Sequence, residues 1–469
     1  MFRSIKLLFV IILFFIVKNI PFVSDKTKAK AVLKLIKMGG VTFVKLGQSL
    51  AVRPDIVGAS YADEFKNLQD NMPAFSYGKV KSIIEKNLGK NITDVFKSVD
   101  EVPVGCASIA QVHKGVLKNG DTVAIKVLRP NIRKVFLNDI KLFFKMAVVI
   151  ETIIPKTKRL NLFAVVSELN DWVNSELSLL QEAKNAKQLY DNFAVVDEYQ
   201  GDFFKVPKVY DDLSTDDIMV LSWIDGIRID NINEYKKLGI NPKDILKKSA
   251  TVFFLQVFRD GFFHADMHPG NMFINKKGEL LPVDFGIMGK LDKKTRTYIA
   301  DVLYYIMKQD YTEVANVHFK AGYVPSTYGI DEFANAIESI DKAVRKKGTL
   351  SQISMGELLS KLFETTERFQ MKTRPELLLL QKTIVVAEGV GRTIAPKENM
   401  WNLISDLIEQ WFKVNRGISA RIEEMIGEVF ITDEVQNTNS ISRNSIVKKI
   451  YFDLTIIAFG GTAIYYTLF

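Results

Sequence analysis

The spacing of apolar residues changes several times along this 469-residue chain, and the changes divide it into regions. Over 27–70 they recur at helical intervals: Val32, Leu35 and Ile36, then Val41, Phe43, Val44 and Leu46. Pro54 interrupts that period before ASYADEFKNLQD resumes it. The pattern predicts a further amphipathic helix over 76–98, starting near Ser76. From 103 the period shortens, and SIAQVHKGVL, the turn KNGD and TVAIKVL read as an apolar, partly β-branched hairpin. Helical spacing returns over about 131–154 and 161–193, followed by a strand, DIMVLSWI, at 217–224. The remainder to about 430 reads as helical except for short strands near MFIN and LLPVDFG. This order predicts an α+β fold with a small β-containing lobe, a larger helical lobe and a helical N-terminal addition.

The predicted regions are an apolar segment at 1–26, a helical extension at 27–100 and a β-rich lobe with a helical insertion at 101–225. A helical lobe follows at 226–432, then a polar linker, DEVQNTNSISRNSIV, at 433–447 and an apolar tail at 448–469. The first segment has a basic start and an uninterrupted apolar run from Leu7 to Val17, closed by Lys18. Eleven residues are short for a spanning helix, and no small-residue cleavage pattern follows. Extended to Val23 with Lys18 snorkelling, it either anchors the chain uncleaved or attaches it peripherally. The tail offers about 20 mostly apolar residues from Ile450 to Phe469, flanked by Lys448 and Lys449 on the side expected to be cytoplasmic. Gly460 and Gly461 suit close helix packing in lipid, and a transmembrane helix is expected there, a buried soluble helix being the alternative.

A net charge of +9 does not imply nucleic acid, because the basic residues are interleaved with acidic ones along the whole chain. The single cysteine, Cys106, excludes an intrachain disulfide and a cysteine metal cluster.

The densest chemistry lies in FFHADMHPGNMFINKKGELLPVDFG. Kinase-like phosphotransferases place a catalytic Asp, a metal-binding Asn five residues later and, after two short strands, the metal-binding Asp of Asp-Phe-Gly. Asp266, Asn271 and Asp284 follow that spacing, and their oxygens suit Mg²⁺ holding ATP phosphates. Zinc held by His264 and His268 is the alternative; Pro269 and Gly270 break the helix such a site needs, and the base Glu of a zinc-protease motif is missing. The kinase-like reading also requires an upstream strand lysine, which Lys126 in DTVAIKVLRP supplies, with Glu182 as its expected partner. Adenine is expected against the backbone near Leu221 to Ile224. A Gly-x-Gly-x-x-Gly loop is missing before Lys126, and no Ala-Pro-Glu segment follows Gly286 before a predicted helix at about Lys293. The pattern suits Mg-ATP but leaves little room to present a peptide.

With these motifs in order, the sequence resembles the UbiB, or AarF-domain, atypical kinases over roughly 30–420. VTFVKLGQSLAVRPDIVGASYADEFKNLQDNMP resembles the family's Lys-x-Gly-Gln segment through Lys45, Gly47 and Gln48. PVGCASIAQVHKG resembles its alanine-rich nucleotide loop, so that Gly105, Ala107 and Ser108 fall at the nucleotide. VAIKVLRP, HADMHPGN, VDFG and LLLLQKTIVVAEGVGRTIAP complete the match.

The resemblance implies a two-lobed, atypical protein-kinase-like fold whose N-terminal extension folds across the nucleotide site. Lys45 and Gln48 would then occlude the place of a peptide, and Glu176 would pair with Lys45. Two positions depart from the family pattern: Ser178 replaces the second acid of its Glu-x-Asp motif, and the loop begins Gly105-Cys106-Ala107 instead of with three alanines. Gly105 is expected to loosen that loop. The implied activity is an Mg²⁺-dependent kinase or ATPase beside the membrane that supports isoprenoid-quinone biosynthesis or related lipid metabolism. Its implied partners are a membrane lipid or isoprenoid-quinone precursor and quinone-biosynthesis enzymes. A nucleotide-gated scaffold with little turnover and a small-molecule or protein kinase are the rivals.

Overall fold

The computed structural model describes residues 23–416 apart from 52–56, 66–67, 69–72, 154–160, 195–202, 346–360, 362–364, 366–367, 372–373 and 399. The two apolar ends, the linker and the expected tail helix lie outside the described residues, apart from 23–26. Among the described residues no helix is long and apolar enough to cross a membrane. The chain divides into two compact units, Met1–Ile404 and Ser405–Phe469, and the extension and both lobes belong to the first.

The extension forms α1 (Asp25–Gly39), α2 (Val41–Ala51) and α3 (Ala59–Phe65). Ser24 caps α1 by accepting from the Thr27 N–H at 3.3 Å. Gly47, on α2, is a matter of space: a Cβ there would lie 2.4 Å from Leu68 Cδ1 and 3.3 Å from Ile36. The predicted helix over 76–98 is shorter than its apolar period suggests. It ends as α4 (Tyr77–Leu88) because Gly89 takes a left-handed conformation and donates its N–H to Glu85 O. A single turn, α5 (Ile92–Val95), then leads into strand β1 (Phe96–Val99).

The small lobe is an antiparallel sheet. Its path runs β1, β3 (Ala110–Leu117), β4 (Thr122–Leu128) and β5 (Ile218–Ser222), with β2 (Gly105–Cys106) also paired to β3. Val123, Ile125 and Val127 are fully buried on one face of β4, in a core with Val80 and Ile84 of α4 and with Ile218 and Val220 of β5. Strand alternation therefore turns Lys126 to the opposite face. Between β4 and β5 come α6 (Ile132–Ile153), α7 (Leu162–Glu176) and α8 (Leu179–Ala194). The continuous helix predicted over 161–193 is broken at Ser178, whose hydroxyl accepts from the Gln181 N–H at 3.2 Å and starts α8. The apolar period through Leu177, Leu179 and Leu180 hides that break. The extension packs on this insertion through Phe43 and Phe143, whose rings meet edge to face at 5.1 Å. Thr42 adds a buried hydrogen bond by donating to Asp139 at 2.6 Å.

The larger lobe begins with β6 (Ile227–Arg228), α9 (Ile232–Lys237) and α10 (Pro242–Phe254), which continues as a π-helical turn over Leu255–Asp260. Next come β7 (Phe262–His264), β8 (Met272–Ile274), β9 (Leu280–Pro282) and β10 (Met288–Lys290). These pair as a β6-β8-β9 sheet and a β7-β10 ribbon. Helices α11 (Lys293–Lys308), α12 (Tyr311–Lys320), α13 (Ile330–Arg345) and α14 (Pro375–Ile394) complete it, and α15 (Met400–Arg416) runs on into the second unit. Helix α11 starts at the residue expected, capped by Asp292, which accepts from the Thr295 N–H at 2.6 Å.

Two consequences can be measured. Gly47→Val forces a branched side chain into the α2 contact with Leu68 and is expected to cost about 1–3 kcal/mol in chemical denaturation. His318, buried on α12 against Phe333, donates from Nδ1 to Val314 O, and burial lowers its pKa to about 4. It stays neutral in the fold while the unfolded chain takes up a proton below about pH 6.5. Unfolding midpoints should therefore fall from pH 6.5 towards 4, by up to about 1.4 kcal/mol per pH unit from this residue. His318→Phe should flatten that part of the profile.

Candidate active site

Lys126 projects from β4 into the space between the lobes, where α8 and the Asp284 loop meet it. Its Nζ lies 2.6 Å from Glu182 Oε1 and 3.0 Å from Asp284 Oδ2. The Lys126 and Glu182 side chains are 15% and 5% exposed, whereas Asp284 keeps 39% open. Burial alone would push Asp284 upward; the Lys126 ammonium and the Gly286 N–H outweigh it and hold the carboxyl well below the usual range. Burial likewise favours neutral Lys126, but the two carboxylates raise its pKa well above the ordinary value.

Helix α8 fixes more than the lysine. Glu182 Oε1 also accepts from the Phe285 N–H at 3.3 Å, and Asn185 Nδ2 donates to Phe285 O at 2.9 Å. Three residues apart on one helix face, Glu182 and Asn185 hold both backbone polar groups of the residue after Asp284. Sequence reasoning missed Asn185, although its i+3 spacing from Glu182 was a usable signal.

The other half of the site grows from β7. His264 Nδ1 accepts from the Asp266 N–H at 3.1 Å, which places its proton on Nε2 and makes that nitrogen the donor to Asp284 O at 2.5 Å. Both ring nitrogens are thus spent joining the two loops, which removes the zinc alternative for His264. Burial lowers its pKa and favours this neutral form. Gln256, in the π-helical turn, accepts from the His264 N–H at 2.8 Å and steadies the same strand. Asn271 Nδ2 donates to Asp266 O at 3.1 Å and faces Asp266 Oδ2 at 3.4 Å. Asp266, Asn271, Asp284, Lys126 and Glu182 therefore form one connected hydrogen-bonded group.

The remaining expected residues sit around it. Ser108 is buried after β2, and its hydroxyl has no hydrogen-bond partner. The Ala107 N–H donates to Ala110 O at 2.8 Å, while Ala107 O accepts from Arg129 Nε and Nη2 at 3.1 and 2.9 Å. Gly105 is paired with Val112 in β2, where a Cβ would meet nothing within 4 Å. Lys45 is buried on α2, and Gln48 donates to Leu68 O at 3.2 Å. Glu176 ends α7, and its side chain lies outside the described ones. Ser178 donates to Asp216 at 2.8 Å as well as capping α8. Near the expected adenine position, the Ser222 and Trp223 amides are engaged by Lys208 O and Thr122 O.

Two residues that sequence reasoning passed over tie the extension to the loop and strand after β2. Arg129 Nη1 donates to Pro73 O at 2.9 Å, so one guanidinium holds both segments. Gln111 accepts from the Phe75 N–H at 3.0 Å and donates to Phe75 O at 3.2 Å. It also donates to His113 Nε2, whose Nδ1–H donates to Asp100 O.

The ABC1 atypical kinase-like domain matches residues 67–318, and the UbiB helical domain matches 338–399. The chain belongs to the ABC1/UbiB family of atypical kinases. It is 37% identical over 402 residues to the probable protein kinase UbiB of Erwinia tasmaniensis, an alignment spanning 85% of this chain and 72% of that protein. It is also 37% identical over 390 residues to the probable protein kinase UbiB of Marinobacter nauticus, over 82% and 70% of the two chains. Among solved structures, the complex of Rv3197 with erythromycin from Mycobacterium tuberculosis superposes with a TM-score of 0.51 at 21% identity. That likeness covers 77% of this chain and 90% of the other and bears on the fold. The kinase-like fold expected from the sequence is therefore present.

Such a fold implies ATP and a divalent metal, and the side chains fit both. Asp266 and Asp284 bring carboxylate oxygens to the same place as the Asn271 carboxamide, and such oxygens suit a divalent cation. With its nitrogen turned to Asp266, Asn271 offers a carboxamide oxygen; with Asp284 it supplies the hard donors Mg²⁺ prefers. The unpartnered Ser108 hydroxyl is a polar group in want of a ligand.

Lys126→Met would leave Glu182 buried without its cation. A loss of about 3–5 kcal/mol is expected in urea unfolding. With Glu182→Gln measured alone and combined with Lys126→Met, the double-mutant cycle should give a coupling of at least about 0.5 kcal/mol.

Proposed function

We propose that this protein is a membrane-associated atypical kinase or ATPase that binds Mg-ATP and supports isoprenoid-quinone biosynthesis or related lipid metabolism. The observation that carries the reading is the joined group itself, in which Lys126 bridges Glu182 and Asp284 while Asn271 holds Asp266. In this reading Lys126, kept charged by its two carboxylates, takes the nucleotide's α- and β-phosphates, and Ser108 donates to phosphate from the loop after β2. Asn271 and Asp284 would hold magnesium, which when bound neutralises charge on the transferring phosphoryl group. Asp266 orients or deprotonates the acceptor, and His264 fixes its backbone relative to Asp284.

The acceptor is read as water or a small membrane-borne molecule. The stitching of residues 73–75 to Arg129 and Gln111, and the start of α11 seven residues after Gly286, support an acceptor smaller than a docked peptide. The apolar ends of the sequence support work at a membrane surface. The family resemblance suggests isoprenoid-quinone metabolism, with a quinone precursor or a quinone-biosynthesis enzyme as the proposed partner.

Phosphate release from Mg-ATP by the purified full chain, with and without anionic vesicles, tests the proposal. Turnover that rises with vesicles and falls at least about 100-fold in Asp284→Asn is expected. Equal turnover in Asp284→Asn, or no nucleotide binding by the unaltered chain, would overturn it.

A further inference from the structure

Beside the loop bearing Asp266, the helical lobe lines a partly open cavity that the nucleotide chemistry does not use. The centre of a water-sized sphere can move through about 80 Å³ of it. One water needs roughly 10–15 Å³ on that measure, so the space is several waters large. Its walls come from the facing sides of α10 and α14, with Ala250 and Phe253 on the first and Ile384 and Ala387 on the second, closed by Val257 and Met267. The gap has a cause in the sequence. Alanines stand at 250 and 387, where the helical period turns a residue inward and a leucine would fill the space.

Water is poorly suited to this cavity. Among the described residues, Ser249 is the one polar side chain lining it, and its hydroxyl is spent on Ile245 O at 2.9 Å. A space of this size with apolar walls forfeits dispersion contacts while empty and gives water nothing to bond. It suits hydrocarbon, and the thioether of Met267 adapts to an irregular guest. The cavity also touches the chemistry. Met267 follows Asp266 directly, and the Thr383 hydroxyl of α14, which donates to Leu379 O at 2.8 Å, also lies 3.3 Å from Ala265 O, so a cavity wall and a cavity helix both touch the loop bearing Asp266.

We propose that this cavity is a binding site for the hydrocarbon end of a lipid, isoprenoid or acyl, that carries no polar group at its inner end. Its occupant packs against Met267 and steadies the loop bearing Asp266. The site stands apart from the nucleotide reading, because binding is measured without ATP and fails or succeeds independently of turnover.

Geraniol and n-decanol serve as probes, with binding to the full chain followed by saturation-transfer NMR and by the thermal unfolding midpoint. Saturable binding of at least one probe is expected, with a raised midpoint. Ala387→Leu fills the cavity from a half-buried helix position and should weaken that binding about tenfold or more. Ala250→Leu, from the opposite wall, should do the same, and either variant suffices should the other fail to fold. Geraniol alone binding would assign an isoprenoid occupant, and decanol alone an acyl one. No saturable binding of either probe, or binding of unaltered strength in the folded leucine variants, would overturn the proposal.

Discussion

A charged ammonium buried between two lobes must be compensated where it stands, and the site is organised around meeting that demand for Lys126. Desolvating one ion costs several kcal/mol, so its partners have to be close and held in place. Glu182 comes from α8 and Asp284 from the loop after β9, which makes the ion group a three-way junction between sheet, insertion helix and Asp284 loop. Each partner is itself fixed: Glu182 by the Phe285 amide and Asp284 by the Gly286 amide. The lysine faces this junction because its neighbours on β4 belong to the core against α4.

The same logic reaches the loop bearing Asp266. His264, neutral and fully bonded, transmits the position of Asp284 to Asp266 through two backbone groups. Gln256 and Thr383 brace that strand end from the π-helical turn and from α14. Helices far apart in sequence therefore fix one short loop, and neither could shift without moving it.

Much of this was legible in the sequence where a pattern had length or a motif had fixed spacing. The β3–β4 hairpin showed in its alternation, and the pairing of Lys126 with Glu182 followed from motif order across a separation of 56 residues. Strands β6, β7 and β10 were not legible, because two or three residues hold no period. The break between α7 and α8 was masked by leucines that keep the helical rhythm across Ser178. Arg129, Gln111 and Thr383 escaped for another reason: each acts on a backbone carbonyl or amide, and such partners leave no mark on the sequence of the segment they hold.

Arg129 couples two segments mechanically. Three of its nitrogens grip two carbonyls, Ala107 O in the loop after β2 and Pro73 O on the chain leading into α4. The guanidinium works as a latch: lifting the nucleotide loop strains the chain leading into α4, and a pull on that chain is felt at the loop. One side chain thereby makes the loop after β2 and the start of the kinase-like domain a single mechanical piece.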